Sequence, residues 1–349
     1  MLEACTDSFP PSLPPIHHLP ITHTPDRKGF SMSIILLLIR RSIAVMLFAT
    51  LVSIVTCRGS TRADCCNSCQ SVCKQSCSCK PCWTPLCLGN LSEGWFDPWI
   101  APPGTGSSGA PRQGWLNTAD GFFTKEYHLF YSFTSNVAEP GGTSHDVHTG
   151  MFQWQYPLSR RLWVGLDVPF SSMVDRPSGL PTLRNLDDIT VTTKVMLQET
   201  QDFALSAELG VRMPTGDVDM GGDVNSLIPK INFWTDMGGA WSLRGAIGAD
   251  IPNSGTPPGA SELDLLYNIA IGHTVTCHNA TPWGDFTYYL SANGRTNLDA
   301  ANEHTFLSLT PGIRTHLCDN IFFLTGTEIP VSGPDSFDVR YLFMIVRGL

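Results

Sequence analysis

The chain has 349 residues, of which only 15% are charged, and its formal net charge is −9. An acidic chain without a basic stripe cannot neutralise phosphates, so nucleic acid is not expected as a partner. The low charge content and the 31 glycines fit an all-β chain with many turns, including an outer-membrane barrel, whose strands are only half apolar.

The first 63 residues carry the signals of export rather than those of a folded domain. Residues 1–31 are rich in proline, histidine and threonine, so we expect them to be disordered, or untranslated if Met32 is the true start. Within residues 32–63, Arg40-Arg41 precedes an apolar run, and Ala63 ends an A-x-A-like cleavage signal, which predicts a signal peptide. A retained transmembrane anchor is the alternative, but the run is shorter than the roughly 20 residues that a spanning helix needs.

Residues 64–90 form a cysteine-rich segment that is expected to be irregular. Its eight cysteines are Cys65, Cys66, Cys69, Cys73, Cys77, Cys79, Cys82 and Cys87. Two C-x2-C pairs have the local spacing of a zinc site, but only nine residues separate them and no histidine contributes. In an exported chain disulfides are the favoured interpretation, while metal binding and cross-linking to envelope components stay open. Residues 91–120 are rich in proline and glycine and are interpreted as a linker.

From Gly121 onward the sequence predicts about twelve β-strands and no helix. In the clearest of them, Phe203–Met213, apolar residues alternate with small or polar residues, which places the two sets on opposite faces. Each run has about ten residues, the length that a tilted strand needs to cross a bilayer. The predicted spans are 122–135, 148–157, 161–172, 188–198, 203–213, 227–236, 241–251, 263–276, 284–294, 305–316, 321–330 and 338–347.

The connections between the predicted strands alternate in length. Those after the odd-numbered strands are mostly long, as in Met173–Asp187, and those after the even-numbered strands are mostly tight, as in Leu158–Arg160. Outer-membrane barrels have long loops outside and short turns in the periplasm, whereas a β-sandwich has no reason to keep this rhythm. The sequence therefore predicts an antiparallel up-and-down transmembrane β-barrel over residues 121–349.

The alternation also predicts which charged side chains face the lumen of this barrel. They are Lys194, Glu208, Arg212, Arg244, Asp250, Arg295 and Arg314. Such charges either set the ion preference of a channel or pair with one another and close it, and the sequence leaves both interpretations open.

Two apolar features bear on the same barrel. The run Leu342–Val346 in the final strand is apolar on both faces, which favours a core-facing or plugged interior there. Aromatic residues near strand ends are expected to form interfacial girdles, although Trp163 departs from the outward parity. They are Phe122, Phe123, Trp163, Trp241, Trp283 and Phe337.

Little in the sequence points to catalysis. No G-x-S-x-G occurs and no general base can be assigned, so we do not expect an enzyme or a cofactor. Cys277 and Cys318 lie in predicted turns at the same end of adjacent strands, and in an oxidising compartment we expect a disulfide between them.

The stretch from Leu186 to Asp217 resembles an outer-membrane family described as "MetA-pathway of phenol degradation". The resemblance is carried by a D-D strand start at Asp187-Asp188, by Lys194 within that strand, and by a following strand that ends in P-T-G-D at Pro214–Asp217. It covers about Gly121–Leu349. It implies a β-barrel and transport of small, hydrophobic or aromatic compounds, and it carries over no catalytic residues.

The leading interpretation is an exported barrel that lies in the lipid bilayer of the outer membrane and passes small-molecule solutes. The alternative is the same barrel, plugged, which serves as a structural or binding protein of the envelope without transport. A secreted soluble β-sandwich is the third interpretation.

Overall fold

The computed structural model describes residues 91–92, 107–138, 144–174, 183–217, 224–254, 263–298, 304–333 and 337–349. The predicted signal peptide and cysteine-rich segment lie outside these ranges. Within them, no helix is long and apolar enough to cross a membrane. The described part of the chain forms thirteen strands: β1 (Glu126–Ala138), β2 (Ser144–Pro157), β3 (Leu162–Val174), β4 (Leu183–Leu186), β5 (Thr190–Glu199), β6 (Phe203–Arg212), β7 (Asn225–Gly238), β8 (Trp241–Ser254), β9 (Asp264–Thr274), β10 (Gly284–Asn297), β11 (Thr305–Cys318), β12 (Ile321–Ser332) and β13 (Val339–Gly348).

These strands form one antiparallel sheet that closes on itself. Apart from β4 and β5, consecutive strands pair with each other, and β1 pairs with β13 from Glu126↔Gly348 to Ser135↔Val339. Both β4 and β5 pair with β3. β4 pairs with the C-terminal end of β3 and β5 with its N-terminal end, so the two strands share one position around the barrel. The result is the predicted closed barrel of twelve strands. Around the closed ring each strand pairs with a neighbour on either side, whereas a sandwich keeps edge strands, and β4 adds to the ring beside β3.

Several predicted boundaries are wrong: β1 runs over Glu126–Ala138 rather than 122–135, and β2 begins at Ser144 rather than at 148. The long loop predicted at Met173–Asp187 is shorter, because β3 continues to Val174 and β4 returns within the predicted loop, from Leu183 to Leu186. A strand of four residues is too short to show a period of two, so its pairing could not be read from the pattern.

The alternation of loop lengths is present in the structure. The connections β2–β3, β5–β6, β7–β8 and β11–β12 are short and lie at one end of the barrel, while the connections at the other end are longer. We call these the short-turn end and the long-loop end. The β9–β10 connection, 275–283, is the longest at the short-turn end, as predicted.

The outward face of the barrel is apolar and exposed. In β8, Ile247 is exposed while Ser242 and Arg244 are buried, and in β13 Phe343 and Ile345 are exposed. Exposed large apolar side chains recur around the barrel, which suits contact with lipid and would be a liability in water. The structure therefore favours a membrane barrel over a soluble protein.

The predicted aromatic girdle is correct only in part. Trp241 and Trp283 are exposed at the short-turn end. The other candidates are buried inside the barrel. Phe122 and Phe123 precede β1, Trp163 faces inward by parity, and Phe337 packs under a neighbouring ring.

Candidate functional site: residues 107–125 inside the barrel lumen

Residues 107–125, which precede β1, lie inside the barrel, and we call them the lumen segment. The segment is anchored first at the short-turn end. The backbone N–H groups of Ser107 and Ser108 donate to Asp202 (2.6 Å) and Asp236 (2.9 Å), which lie at or beside short turns. Arg112 pairs with Glu199 at 2.7 Å. Burial lowers the pKa of the Arg112 guanidinium, and the Glu199 carboxylate opposes that shift.

Trp115 is the main apolar anchor of the segment. Its indole stacks on the Tyr289 ring, with centroids 4.8 Å apart and an interplanar angle of 4°. The Arg244 guanidinium lies 3.6 Å from the indole centroid. The Tyr289 ring covers one face of the indole and leaves no room there for the guanidinium. The indole therefore lies between the Tyr289 ring and the Arg244 guanidinium. A Cβ added at Gly272 would lie 2.4 Å from the indole, so the indole fits here because residue 272 has no side chain.

Around Trp115 the inner surface of the barrel is apolar. Trp115 and Leu116 of the segment form one buried cluster with strand residues that we call the apolar wall: Ala270, Tyr289, Leu324, Leu342, Met344 and Val346. Three of these residues come from β13, whose inward face was predicted to meet a plugged interior. Trp115 and Leu116 of the lumen segment pack on that face, so it is core-facing, which is the first of the two possibilities predicted.

The segment turns back near the middle of the barrel. Asn117 has a φ of 52°, its carbonyl accepts from the Ser291 hydroxyl at 2.8 Å, and its amide donates to Thr310 at 3.2 Å. Asp120 then forms an ion pair with Arg244 at 2.6 Å. The chain that was predicted as the end of a linker therefore makes its contacts inside the lumen.

The returning half of the segment packs on the opposite side of the barrel. Phe122 and Phe123 form a second buried cluster with Trp163, Met196, Ala204 and Trp234. The Trp163 indole N–H donates to the Thr124 carbonyl at 2.9 Å. Together the two clusters fill the short-turn half of the barrel with aromatic and aliphatic side chains.

The structure places the predicted lumen charges on the inner surface and gives each one a partner of opposite charge. Lys194 lies 3.3 Å from Glu208, Arg212 lies 2.8 Å from Asp250, Arg295 binds Asp264, and Arg314 lies 4.0 Å from Glu126, while Arg244 pairs with Asp120. Arg244 and Arg314 are also bound to the segment backbone, donating to the carbonyls of Gln113 (2.7 Å) and Gly114 (3.0 Å). Arg244 and Arg314 are 0% and 1% exposed. Lys230, which was not among the predicted lumen charges, also faces inward from β7 and binds Glu208 at 3.3 Å.

Above the tip of the segment, the lumen holds a polar cavity of about 380 Å³. The tip contributes Asn117–Asp120 to its lining. Its walls are rich in amide and charged side chains, with Trp163 as an aromatic member: they include Gln153, Gln155, Asp167, Lys194, Glu208, Lys230, Asn268, Asn293, Glu328 and Arg340. The lumen is therefore polar above the segment and apolar beside it.

The residues that carry the family resemblance hold together a loop at the long-loop end. The Asp188 carboxylate accepts from the backbone N–H groups of Thr215 (3.1 Å), Gly216 (2.8 Å) and Val224 (2.9 Å). A Cβ at Gly216 would come within 2.9 Å of the Asp187–Asp188 peptide. The D-D and P-T-G-D elements are thus two halves of one contact.

Cys277 and Cys318 are free thiols in the structure, and both are exposed. The disulfide between them stays a prediction, which non-reducing peptide mapping would remove by finding both thiols free. Across the described ranges, no three histidine, cysteine, aspartate or glutamate side chains are grouped to hold a metal ion.

Fold and lumen define a closed β-barrel of the outer-membrane type with a segment folded into it. The family model described as "Putative MetA-pathway of phenol degradation" matches residues 130–315, and the chain belongs to this family. An outer membrane channel from Pseudomonas putida F1 has a similar fold, with 11% identity, a TM-score of 0.54, and coverage of 68% of this chain and 99% of that one. The NanC porin (8% identity, TM-score 0.45) and the KdgM porin (7%, 0.43) each match over 64% of this chain and 99% of their own. No curated protein matches the chain.

Proposed function

We propose that this protein is an outer-membrane channel for small hydrophobic or aromatic compounds, and that the lumen segment closes it. The observation that carries the proposal is the apolar wall. A pore for water-soluble solutes is expected to have a polar lining, whereas here the surface beneath Trp115 and Leu116 is aromatic and aliphatic. Displacement of the segment would expose that surface to a passing solute.

The proposed path has two parts. Long loops face outward and short turns face the periplasm in barrels of this type, so a solute would meet the polar cavity first. It would then pass the tip of the segment, Asn117–Asp120, and reach the apolar wall. The polar cavity suits the hydroxyl or charged group of an amphipathic solute, and the wall suits its ring or chain.

The proposal includes the part of the chain before the barrel. Residues 32–63 would direct export, and residues 64–90 would remain on the periplasmic side, where the lumen segment is anchored by Asp202 and Asp236. Contacts of the cysteine-rich segment with other envelope components would then act directly on the chain that leads into the lumen.

A plugged barrel without transport is the second candidate, and the density of contacts along the segment favours it. Ion pairs, stacked rings and hydrogen bonds hold the segment at the short-turn end, at Trp115 and at the tip. If none of these contacts breaks under native conditions, the protein is a structural element of the envelope.

Single-channel recording in a planar lipid bilayer separates the two candidates. Full-length protein is first shown to be a closed barrel by its heat-modifiable mobility on a gel. We expect current steps that indole or phenol interrupts and that arabinose at the same concentration does not. Folded protein that carries no current would support the plugged barrel, and equal interruption by the sugar would refute the proposed solute class.

A further inference from the structure

We infer that the place occupied by Trp115 is a binding site for aromatic acids, that is, planar rings bearing a carboxylate, and that the lumen segment occupies it as an internal ligand. The inference rests on the proposed function, because a solute reaches this place only when the segment moves. It names the class of solute more narrowly than the apolar wall does.

The ring half of the site is a slot of defined thickness. The Tyr289 ring forms one side and the Arg244 guanidinium the other, with the indole between them at 4.8 Å and 3.6 Å. Arginine above one face of a ring and an offset aromatic ring on the other are both favourable partners for a π system. Gly272 lies against the barrel side of the slot and has no side chain to fill it, since a Cβ there would lie 2.4 Å from the indole. A flat ring fits this slot, whereas a branched aliphatic chain would not fill it.

The slot itself is held in shape by the barrel. A Cβ at Gly312 would lie 2.4 Å from the Tyr289 ring, so β11 has a glycine where the phenol ring lies across it. The Tyr289 hydroxyl accepts from the Leu116 backbone N–H at 3.0 Å. Removal of the segment would free this hydroxyl for a polar substituent on an incoming ring.

The carboxylate half of the site is inferred from the hydrogen-bond acceptors that the segment offers to two buried arginines. Arg244 donates to the Asp120 carboxylate (2.6 Å) and the Gln113 carbonyl (2.7 Å), and Arg314 donates to the Gly114 carbonyl (3.0 Å). All three acceptors leave with the segment. Arg314 would keep Glu126 at 4.0 Å, and that carboxylate also binds His128 at 2.9 Å.

A neutral ring would therefore leave the Arg244 guanidinium without an anion in a largely apolar surrounding, which is unfavourable. A ring that carries a carboxylate replaces both the indole of Trp115 and the carboxylate of Asp120. The segment presents these two groups together at the same arginine, and this juxtaposition points to an aromatic acid rather than a phenol or a hydrocarbon.

The test uses full-length protein in lipid nanodiscs and two variants that empty the site in steps. Trp115→Ala vacates the ring slot, and Trp115→Ala with Asp120→Ala also vacates the carboxylate position. Isothermal titration calorimetry measures the binding of indole and of indole-3-acetate to each. We expect the single variant to bind indole, and the double variant to prefer indole-3-acetate by roughly tenfold, the effect of one charge-assisted hydrogen bond.

Controls keep the test decisive. Adding Arg244→Gln to the double variant should weaken the binding of the acid more than that of indole. Trp115→Leu provides a second vacated slot if Trp115→Ala does not give the heat-modifiable gel shift of a closed barrel. A double variant that binds indole-3-acetate no better than indole would overturn the carboxylate, and folded variants that bind neither would overturn the site.

The outcome is separable from that of the proposed function. Channel currents in the wild type with no binding in the variants would leave the channel proposal standing and remove this inference. Binding in the variants with no current in the wild type would mean that the segment never leaves the site.

Discussion

Replacing Trp115 with alanine should open the lumen, and the size of the effect can be derived from its contacts. The indole is 4% exposed and packs between Tyr289 and Arg244 when the segment is docked. Loss of a buried tryptophan side chain costs about 3–5 kcal/mol in a packed core. Because these contacts exist only in the docked state, a loss of about 3 kcal/mol would shift the docking equilibrium on the order of 100-fold toward the open state.

Single-channel recording measures that equilibrium as the fraction of time spent in the open level. We expect the open fraction of Trp115→Ala to exceed that of the wild type by roughly 100-fold as long as the open state stays the minor one, because the anchors at Arg112 and Asp120 are the same in both proteins. Trp283→Ala is the matched control, because Trp283 is 60% exposed at the same end of the barrel. Equal open fractions in Trp115→Ala and the wild type would refute the assignment of the segment as the gate.

Three further changes test neighbouring parts of the argument. Gly272→Val should raise the open fraction as Trp115→Ala does, because its side chain would occupy the position of the indole; a normal open fraction in a folded barrel would contradict the slot. Asp188→Ala should speed hydrogen exchange of the three amides that the carboxylate binds, by about tenfold for a loss of about 1.4 kcal/mol, and unchanged exchange would show that another group holds the loop. Lys230→Glu places a second carboxylate beside Glu208 and should shift the reversal potential in a salt gradient toward cation preference; no shift would mean that ions do not pass this wall.

The barrel could be predicted from the sequence because the membrane imposes local rules. A strand that faces lipid on one side must alternate, as Phe203–Met213 does, and loops of two lengths must alternate between the two ends. Both patterns lie within short stretches of chain. The doubly apolar strand around Leu342–Val346 also predicted a filled interior, since its inward residues needed an apolar partner.

The partner itself could not be predicted, because its contacts are distant in the sequence. Gly114 meets Arg314 across 200 positions, and Gln113 meets Arg244 across 131. Proline and glycine content made residues 91–120 resemble a linker, and that composition says nothing about side chains elsewhere that satisfy the backbone. Trp115 was the available signal within the predicted linker, since a free linker has no use for a buried ring.

The nature of the contacts bears on whether the segment is a permanent plug. A barrel that needed only a solid interior could fill it with apolar side chains from its own strands, and replacing buried ion pairs by well-packed apolar residues is often neutral or stabilising. Here Arg244 and Arg314 instead bind backbone carbonyls and a carboxylate of a segment that is joined to the barrel at one end, through Thr124 and Glu126. Water or an anionic solute can replace each of these acceptors. Buried cations whose acceptors in the segment can be exchanged are therefore better suited to a segment that leaves than to one that stays, and this favours the channel over the structural barrel.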